Sequence, residues 1–395
     1  MRTVDQMDLE GKKVIVRVDF NVPLENGTVH EEYRITSTLP TLRHILDQGA
    51  ALICCSHLGK PKGKPRPELS LAPVARRLGE LLEREVSMAP DCTGQEVSDM
   101  AGALQPGEVL MLENLRFNPG EKENDPEFSK DLASLADVYV NDAFGVAHRE
   151  HASVVGITRF VRECCAGLLL NKEIETLSDL LREPRKPYVV ISGGAKVSSK
   201  LGIFTTLLDK VDRIIVGGAM ANTFLKAQGY EVGRSLVEDD LLDTARQILD
   251  QARQAGVSLY LPVDFITGQS TESRSPAAVR PYQNVPADEM ILDTGPASHA
   301  LFSEVLKDAG TVVWNGPMGL FENPAFSQGS FGMAATMANL EQAVTIVGGG
   351  DTDALIYDTG LADKFSFVST GGGSFLEFLE GNTLPAIKAL EECSQ

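Results

Sequence analysis

The stretch YVVISGGAKVSSKLGIF, residues 188–204, runs from a β-branched strand pattern through two glycines and a lysine into a helical pattern. Glycines at a strand end let the backbone approach a ligand closely, and a helix that follows points unpaired N–H groups and partial positive charge at any anion there. Phosphate is the natural ligand of such a turn. A P-loop would read G-x-x-x-x-G-K-[ST], whereas here Lys196 follows Gly193, Gly194 and Ala195 directly and Lys200 comes one turn later.

Runs of the same kind flank this stretch on both sides. KVIVRVDF, ALICCS, EVLMLEN and DVYVND precede it, and RIIVGG, SLYLPVDF, TVVWNG, VTIVGGG and FSFVSTGGG follow it. They read as parallel strands buried on both faces. Amphipathic patterns at 71–83, 128–136 and 241–256 lie between them, and this alternation argues an α/β fold with doubly wound, mainly parallel sheets. The run RFVRECCAGLLLNKEIETLSDLLRE (159–183) reads as one long helix connecting two halves, ended by Pro184 and Pro187.

With 395 residues the chain exceeds a single core of roughly 100–200 residues, so two domains are expected. A net charge of -19 argues against a nucleic-acid partner, because binding to a phosphate backbone is driven by clustered Lys and Arg. No segment approaches the roughly 18 apolar residues of a membrane span, and no N-terminal run joins a basic start to an apolar core, so a cytoplasmic protein is expected. The six cysteines include the adjacent pairs Cys54-Cys55 and Cys164-Cys165 and no C-x-x-C. Neither a zinc site nor a disulfide framework is indicated, and buried free thiols are expected.

In the second half the strands end in glycines (Gly193-Gly194, Gly217-Gly218, Gly348 to Gly350, Gly371 to Gly373), the place where open α/β sheets bind ligands. GGGDTDAL (348–355) adds Asp351 at a helix start, placed either to hold Mg²⁺ beside nucleotide phosphates or merely to cap its helix. WNGPMGLFE (314–322) offers an apolar wall of Leu320 and Phe321 and the carboxylate of Glu322, which suit an adenosine; a turn with a surface glutamate is the plain alternative.

In the first half the strand of RVDFNVPL (17–24) carries Asp19 and Asn21 on one face. A buried carboxylate needs a partner, and SHLGKPKGKPR (56–66) supplies His57, Lys60 and Arg66. NLRFNPGE (114–121) adds Arg116, NDAFGVAHREHAS (141–153) adds His148, Arg149 and His151, and Arg34 sits at a helix start. Cations at several strand ends make an anion pocket for a small substrate, with Arg favoured where carboxylate or phosphate is held bidentately. Each arginine alone could equally serve a surface ion pair.

The ordered set RVDFNVPL, SHLGKPKG, LENLRFNPGE, YVNDAFGVAHR, GGAKVSSK, WNGPMGLFE, GGGDT and STGGGS closely resembles the phosphoglycerate kinase family, over essentially the whole chain. The resemblance implies two Rossmann-like domains joined by a hinge helix. Residues 1–170, with the tail 384–395 packing back on them, would bind phosphoglycerate; residues 171–383 would bind nucleotide. It implies reversible, Mg²⁺-dependent transfer between ATP and 3-phosphoglycerate, giving ADP and 1,3-bisphosphoglycerate, by a monomer whose domains close about the hinge.

By the same resemblance, Asp19, Asn21, Arg34, His57, Lys60, Arg116 and Arg149 match phosphoglycerate-binding positions. Gly194, Ala195, Lys200, Asn315, Pro317, Glu322, Gly348, Gly349, Gly350, Asp351 and Thr352 match nucleotide positions, with Asp351 the Mg²⁺ ligand. Arg34, Lys196, Gly371 and Gly372 would face the phosphoryl group in transfer. Two positions depart from the family pattern. Lys60 stands where L-G-R-P has arginine, losing the planar fork, and Phe375 stands where a small polar residue is usual.

Two other classes compete. An NAD-dependent dehydrogenase would share the fold, but no G-x-G-x-x-G with a following acidic residue appears after a strand. A two-domain binding protein for a small anion would share the hinge and the arginines, but Lys196 and Asp351 argue against it. Nucleotide separates the three, and binding of Mg-ADP is expected.

Overall fold

The computed structural model describes residues 1–393, so Ser394 and Gln395 of the expected tail lie outside the described residues. The chain forms two compact units, Met1–Thr176 with the segment from Thr383 onward, and Leu177–Asn382. The first division falls inside the helix Leu168–Arg182.

The first unit is built on β1 (Lys13–Arg17), a small hairpin of β2 (Leu24–Glu25) and β3 (Thr28–Val29), then β4 (Ala51–Cys55), β5 (Val86–Met88), β6 (Val109–Met111), β7 (Val138–Asn141) and β8 (Glu163–Ala166). Six of these make one parallel sheet in the order β5-β6-β4-β1-β7-β8. Alternate residues of the central strand, Val14 and Val16, face the helices Tyr33–Asp47 and Ala72–Leu82, whose Leu39, Leu42, Leu46, Val74 and Leu78 close the core. Burying such side chains contributes about 1.5–3 kcal/mol each, which is what holds the strand ends in register.

The expected long helix over 159–183 is corrected here. Residues 163–166 are the edge strand β8, parallel to β7, and the helix begins only at Leu168. The short apolar run Cys164-Cys165-Ala166 fits strand and helix periodicity alike, and the free edge of β7 decides between them. At Gly167, between the two, a Cβ would run into the Asp142 carboxylate.

The expectation of free thiols is also corrected. Cys164 forms a disulfide with Cys393, whereas Cys54, Cys55, Cys92 and Cys165 are free and buried. Its partners are 229 residues apart, and no local spacing reports such a pair. They meet because the last helix, Pro385–Cys393, packs against β8 and donates Ala386 N–H to Ala147 O at 3.0 Å.

The second unit contains β9 (Tyr188–Ser192), β10 (Arg213–Val216), β11 (Ser258–Tyr260), β12 (Asp264–Gly268), β13 (Ala278–Pro281), β14 (Met290–Thr294), β15 (Thr311–Asn315), β16 (Val344–Val347) and β17 (Phe367–Val368). Its main sheet is parallel in the order β11-β10-β9-β15-β16-β17, so the strand order reverses between β9 and β15. That reversal is the topological switch point, where the loops after two neighbouring strands part and leave a crevice.

A three-stranded antiparallel sheet, β13-β12-β14, accompanies it and was not anticipated from the sequence. The run SLYLPVDF reads in the sequence as one strand. It divides into β11 and β12 around Pro262, which has no N–H to give to a ladder. The α/β class with two largely parallel sheets is as expected. Among the described residues no helix is long and apolar enough to cross a membrane.

Candidate active site

At the C-terminal end of the first sheet, four strand ends converge on one polar cluster. The chain leaving β1 places Asp19, which is buried, where Arg34 in the first turn of helix Tyr33–Asp47 donates to its Oδ2 at 2.5 Å. Asn21 accepts from Gly59 N–H at 2.8 Å, and Arg116 donates to Gly59 O at 2.8 Å, so the turn after β4 is fastened from two sides. Asn114 locks the same turn, accepting from Leu58 N–H at 3.1 Å and donating to Leu58 O at 2.7 Å. Lys60 and Arg149 carry exposed side chains.

Charge within this cluster is strongly biased by burial. His57 is held well below the ordinary histidine range, first by burial and then by the positive fields of Arg17, Arg116 and Arg34. Burial likewise brings Arg116 down to about 10, with Arg17 and Arg149 adding to it, so it stays charged at neutral pH. His148 is lowered to about 4, by burial first and then by Arg149 and His151. The cluster therefore presents arginine cations and, at His57 and His148, neutral imidazoles, a combination that attracts an anion.

The second cluster lies at the switch point of the other unit. Gly193 N–H donates to Asn315 O at 2.9 Å and Gly194 N–H to Pro317 O at 2.8 Å, stitching the turn after β9 to the turn after β15. A Cβ on Gly193 would strike the Gly316 and Pro317 carbonyls, so only glycine permits this approach. Above the seam lies a cavity of about 240 Å³ whose lining includes Gly194, Ala195, Pro317, Leu320, Glu322 and Asp351. Lys196 is exposed.

Lys200 is buried, and burial brings it down to about 8 against the opposing fields of Asp351 and Glu380. Asn315 Nδ2 donates to Gly348 O, and Gly316 N–H to Thr352 Oγ1 at 2.8 Å, so the glycine turn after β16 is tied to β15. A Cβ on Gly372 would approach Gly350 N, which places the turns Gly348 to Gly350 and Gly371 to Gly373 side by side. Two helices, Gly350–Asp358 and Gly372–Leu379, start from these turns. Phe375 is fully buried, with its ring packed against Gly348.

Several residues of these sites were missed in the sequence. Gly218, Ala219, Leu236, Met290, Leu292 and Asp293 also line the cavity. Gly217-Gly218 was visible as one more glycine-ended strand, but Met290, Leu292 and Asp293 belong to the unanticipated antiparallel strand β14. In the first unit, Arg17, Glu121 and Ser153 form a buried network beneath the cluster. Arg17 was legible only as a charge interrupting an apolar run.

A family model described as phosphoglycerate kinase matches residues 4–382. The chain is 57% identical to the phosphoglycerate kinase of Maridesulfovibrio salexigens, with all of both chains covered, and 52% identical to that of Syntrophobacter fumaroxidans, covering all of this chain and 99% of the relative. Among solved structures, the phosphoglycerate kinase from Coxiella burnetii matches with a TM-score of 0.85 at 44% identity, covering 100% of this chain and 99% of that one. The phosphoglycerate kinase from Pyrococcus horikoshii matches with a TM-score of 0.88 at 30% identity and the same coverage.

Proposed function

The chain belongs to the phosphoglycerate kinase family, a glycolytic kinase moving a phosphoryl group between ATP and the carboxylate of 3-phosphoglycerate, and we propose that its two units divide the substrates between them. The first unit takes phosphoglycerate through Asp19, Asn21, Arg34, His57, Lys60, Arg116 and Arg149. The second takes the nucleotide, with adenosine in the apolar cavity against Glu322 and the phosphates over Lys200, Asn315 and the glycine turns. A cytoplasmic monomer is the form this reading implies.

Asp351 would hold Mg²⁺. Its carboxylate is exposed in the first turn of helix Gly350–Asp358 and lines the cavity, and one carboxylate suffices for an ion that keeps waters and substrate phosphates as its other ligands. When bound, the ion would neutralise phosphate charge.

The nucleophile in the ATP-consuming direction is a carboxylate, already ionised at neutral pH, so no general base is needed. Phosphoryl transfer passes through a loose transition state with charge spread over three oxygens, and catalysis is therefore mostly positioning and electrostatic stabilisation. Lys196, the amides of Gly371 and Gly372, and Arg34 supply donors for that charge. Substrates held on separate units must be brought together by closure about the helix Leu168–Arg182, which also excludes water from the acyl phosphate.

The observation that carries this reading is the glycine-walled cavity at the switch point, with a lysine and a carboxylate on its lining turns. A coupled assay of acyl-phosphate formation from Mg-ATP and 3-phosphoglycerate tests it. Turnover that requires both substrates is expected. Folded protein that binds Mg-ADP without turning over would overturn it.

A further inference from the structure

The strand β1 ends in an arginine with no exposed surface, and a buried guanidinium is retained only where every side of it is satisfied. Arg17 Nε donates to Ser153 Oγ at 2.9 Å, Nη1 donates to Val18 O, and Nη2 lies 3.1 Å from Nδ1 of His57. Ser153 spends its own hydroxyl proton on Glu121 Oε1 at 2.7 Å, leaving a lone pair for Arg17. Glu121 is fully buried; burial pushes its carboxyl up, but the His151 ring 3.5 Å away, the charge of Arg17 and the hydrogen bonds from Ser153 hold it below the ordinary value. Arg17 is thus charge-balanced through Ser153 on one side and spends its outer N–H on a histidine on the other.

Guanidinium has five N–H donors and no acceptor. At 3.1 Å, the His57 nitrogen facing Arg17 must therefore be the one with a lone pair, because two N–H groups cannot face each other at that distance. Among the described residues the rival for that nitrogen is Asp19, whose Oδ1 is 3.7 Å from Nδ1, beyond hydrogen-bond reach, and whose Oδ2 is engaged by Arg34. From every packed element the remaining charges near the ring are Arg34, Arg116 and His151, all of which oppose protonation.

We propose that Arg17 is a positioning residue that locks His57 in its neutral tautomer with the proton on Nε2, so that His57 meets phosphoglycerate as a neutral donor. This rests on the reading of the first unit as the phosphoglycerate site. His57 Nε2 makes no hydrogen bond among the described residues, so its N–H is available to a ligand oxygen. A histidine held this way gives the pocket a donor of fixed direction that does not change charge over the physiological range, unlike a free imidazole. Substrate affinity is thereby uncoupled from the protonation of the histidine closest to Asp19.

The test begins with the unmodified free protein. Two-bond ¹H–¹⁵N correlation on histidine-labelled protein, with the His57 signals assigned by His57→Gln, reports the tautomer directly. The expected result is a pyridine-type Nδ1 and a pyrrole-type Nε2, unchanged from pH 5.5 to pH 8. A pyrrole-type Nδ1, or a doubly protonated ring at pH 6, overturns the proposal. Titration with 3-phosphoglycerate should then move the Nε2 resonance; a locked tautomer with no such response would leave Arg17's action on the ring standing and overturn the assignment of the substrate. In Arg17→Met, the pH profile of KM for 3-phosphoglycerate between 5.5 and 8 should gain a second titration beyond that of the substrate's own phosphate, whose second pKa is about 6 and which the parent already shows, with Arg17→Lys restoring the parent's profile. A profile in folded Arg17→Met that superimposes on the parent's also counts against the lock.

Discussion

Arg34 and Asp19 are joined at 2.5 Å, and both are mostly buried at the sheet's C-terminal edge. The arginine proposed to reach the transferring phosphoryl group is therefore aimed by a carboxylate that follows β1. Removing the carboxylate should misdirect the guanidinium rather than unfold the unit. For Asp19→Asn we expect kcat/KM for 3-phosphoglycerate to fall by about 10²-fold, the scale of a lost charge-assisted hydrogen bond at a positioned group. Mg-ADP affinity should not change, and parallel steady-state kinetics and calorimetry would show whether the two effects separate.

Lys196 of the GGAK turn and Lys200 one helical turn later should behave differently, because the first is exposed and the second buried. Lys196→Ala should lower kcat by about 10²–10³-fold, as for loss of one donor to transition-state charge, while Tm and Mg-ADP binding hold. Lys200 loses its proton near pH 8 because burial disfavours its charge. Mg-ADP affinity should therefore weaken as pH rises through that value in the parent and stay flat in Lys200→Met. Isothermal titration at several pH values distinguishes them, and equal profiles would remove Lys200 from the phosphate site.

The glycine-ended strands of the second unit were legible because each of their signals is local: an apolar run, a glycine pair, a helix start. The β14 side of the cavity was not, because Met290, Leu292 and Asp293 come from β14, whose pairing with β12 depends on a chain reversal that no short motif encodes. Arg17 failed to stand out for a related reason. Its meaning lies in Ser153 and His57, 136 and 40 residues away in sequence. Phe375 stood out as a departure near the anion site, yet it proves to be core, since its position in helix Gly372–Leu379 turns the ring under Gly348.

Asp293 gives the second unit a pH-dependent stability. Burial raises its carboxyl to about 7, although backbone N–H groups of Gly329, Thr294 and Gln328 oppose the rise. The folded state holds this proton more tightly than the unfolded chain, so the stabilisation is fully present below about pH 4 and is lost as pH rises through about 7. The full difference is about 4 kcal/mol at one pKa unit per 1.36 kcal/mol. Asp293→Asn should flatten the fall in Tm between pH 5 and pH 8 relative to the parent. Superimposable slopes in differential scanning calorimetry would place the titration elsewhere.

The bridge between Cys164 and Cys393 closes a loop spanning 229 residues, which contains the whole second unit. Beyond the bridge, the last helix is held by the buried side chains Ala386, Ala389 and Leu390 and by the bond from Ala386 to Ala147, next to the turn that carries His148 and Arg149. Reduction should therefore loosen the tail first and relax that turn with it. Loss of the cross-link restores chain entropy to the unfolded state and should cost about 2–5 kcal/mol, so Cys393→Ser and reduced parent protein should melt lower than oxidised parent by similar amounts. KM for 3-phosphoglycerate should rise in both, because Arg149 loses its neighbour's anchor, while KM for Mg-ATP should not. Thiol titration of the denatured protein provides the check on the premise: four reactive thiols before reduction and six after are expected, and six without reductant would mean that the tail is held by packing alone.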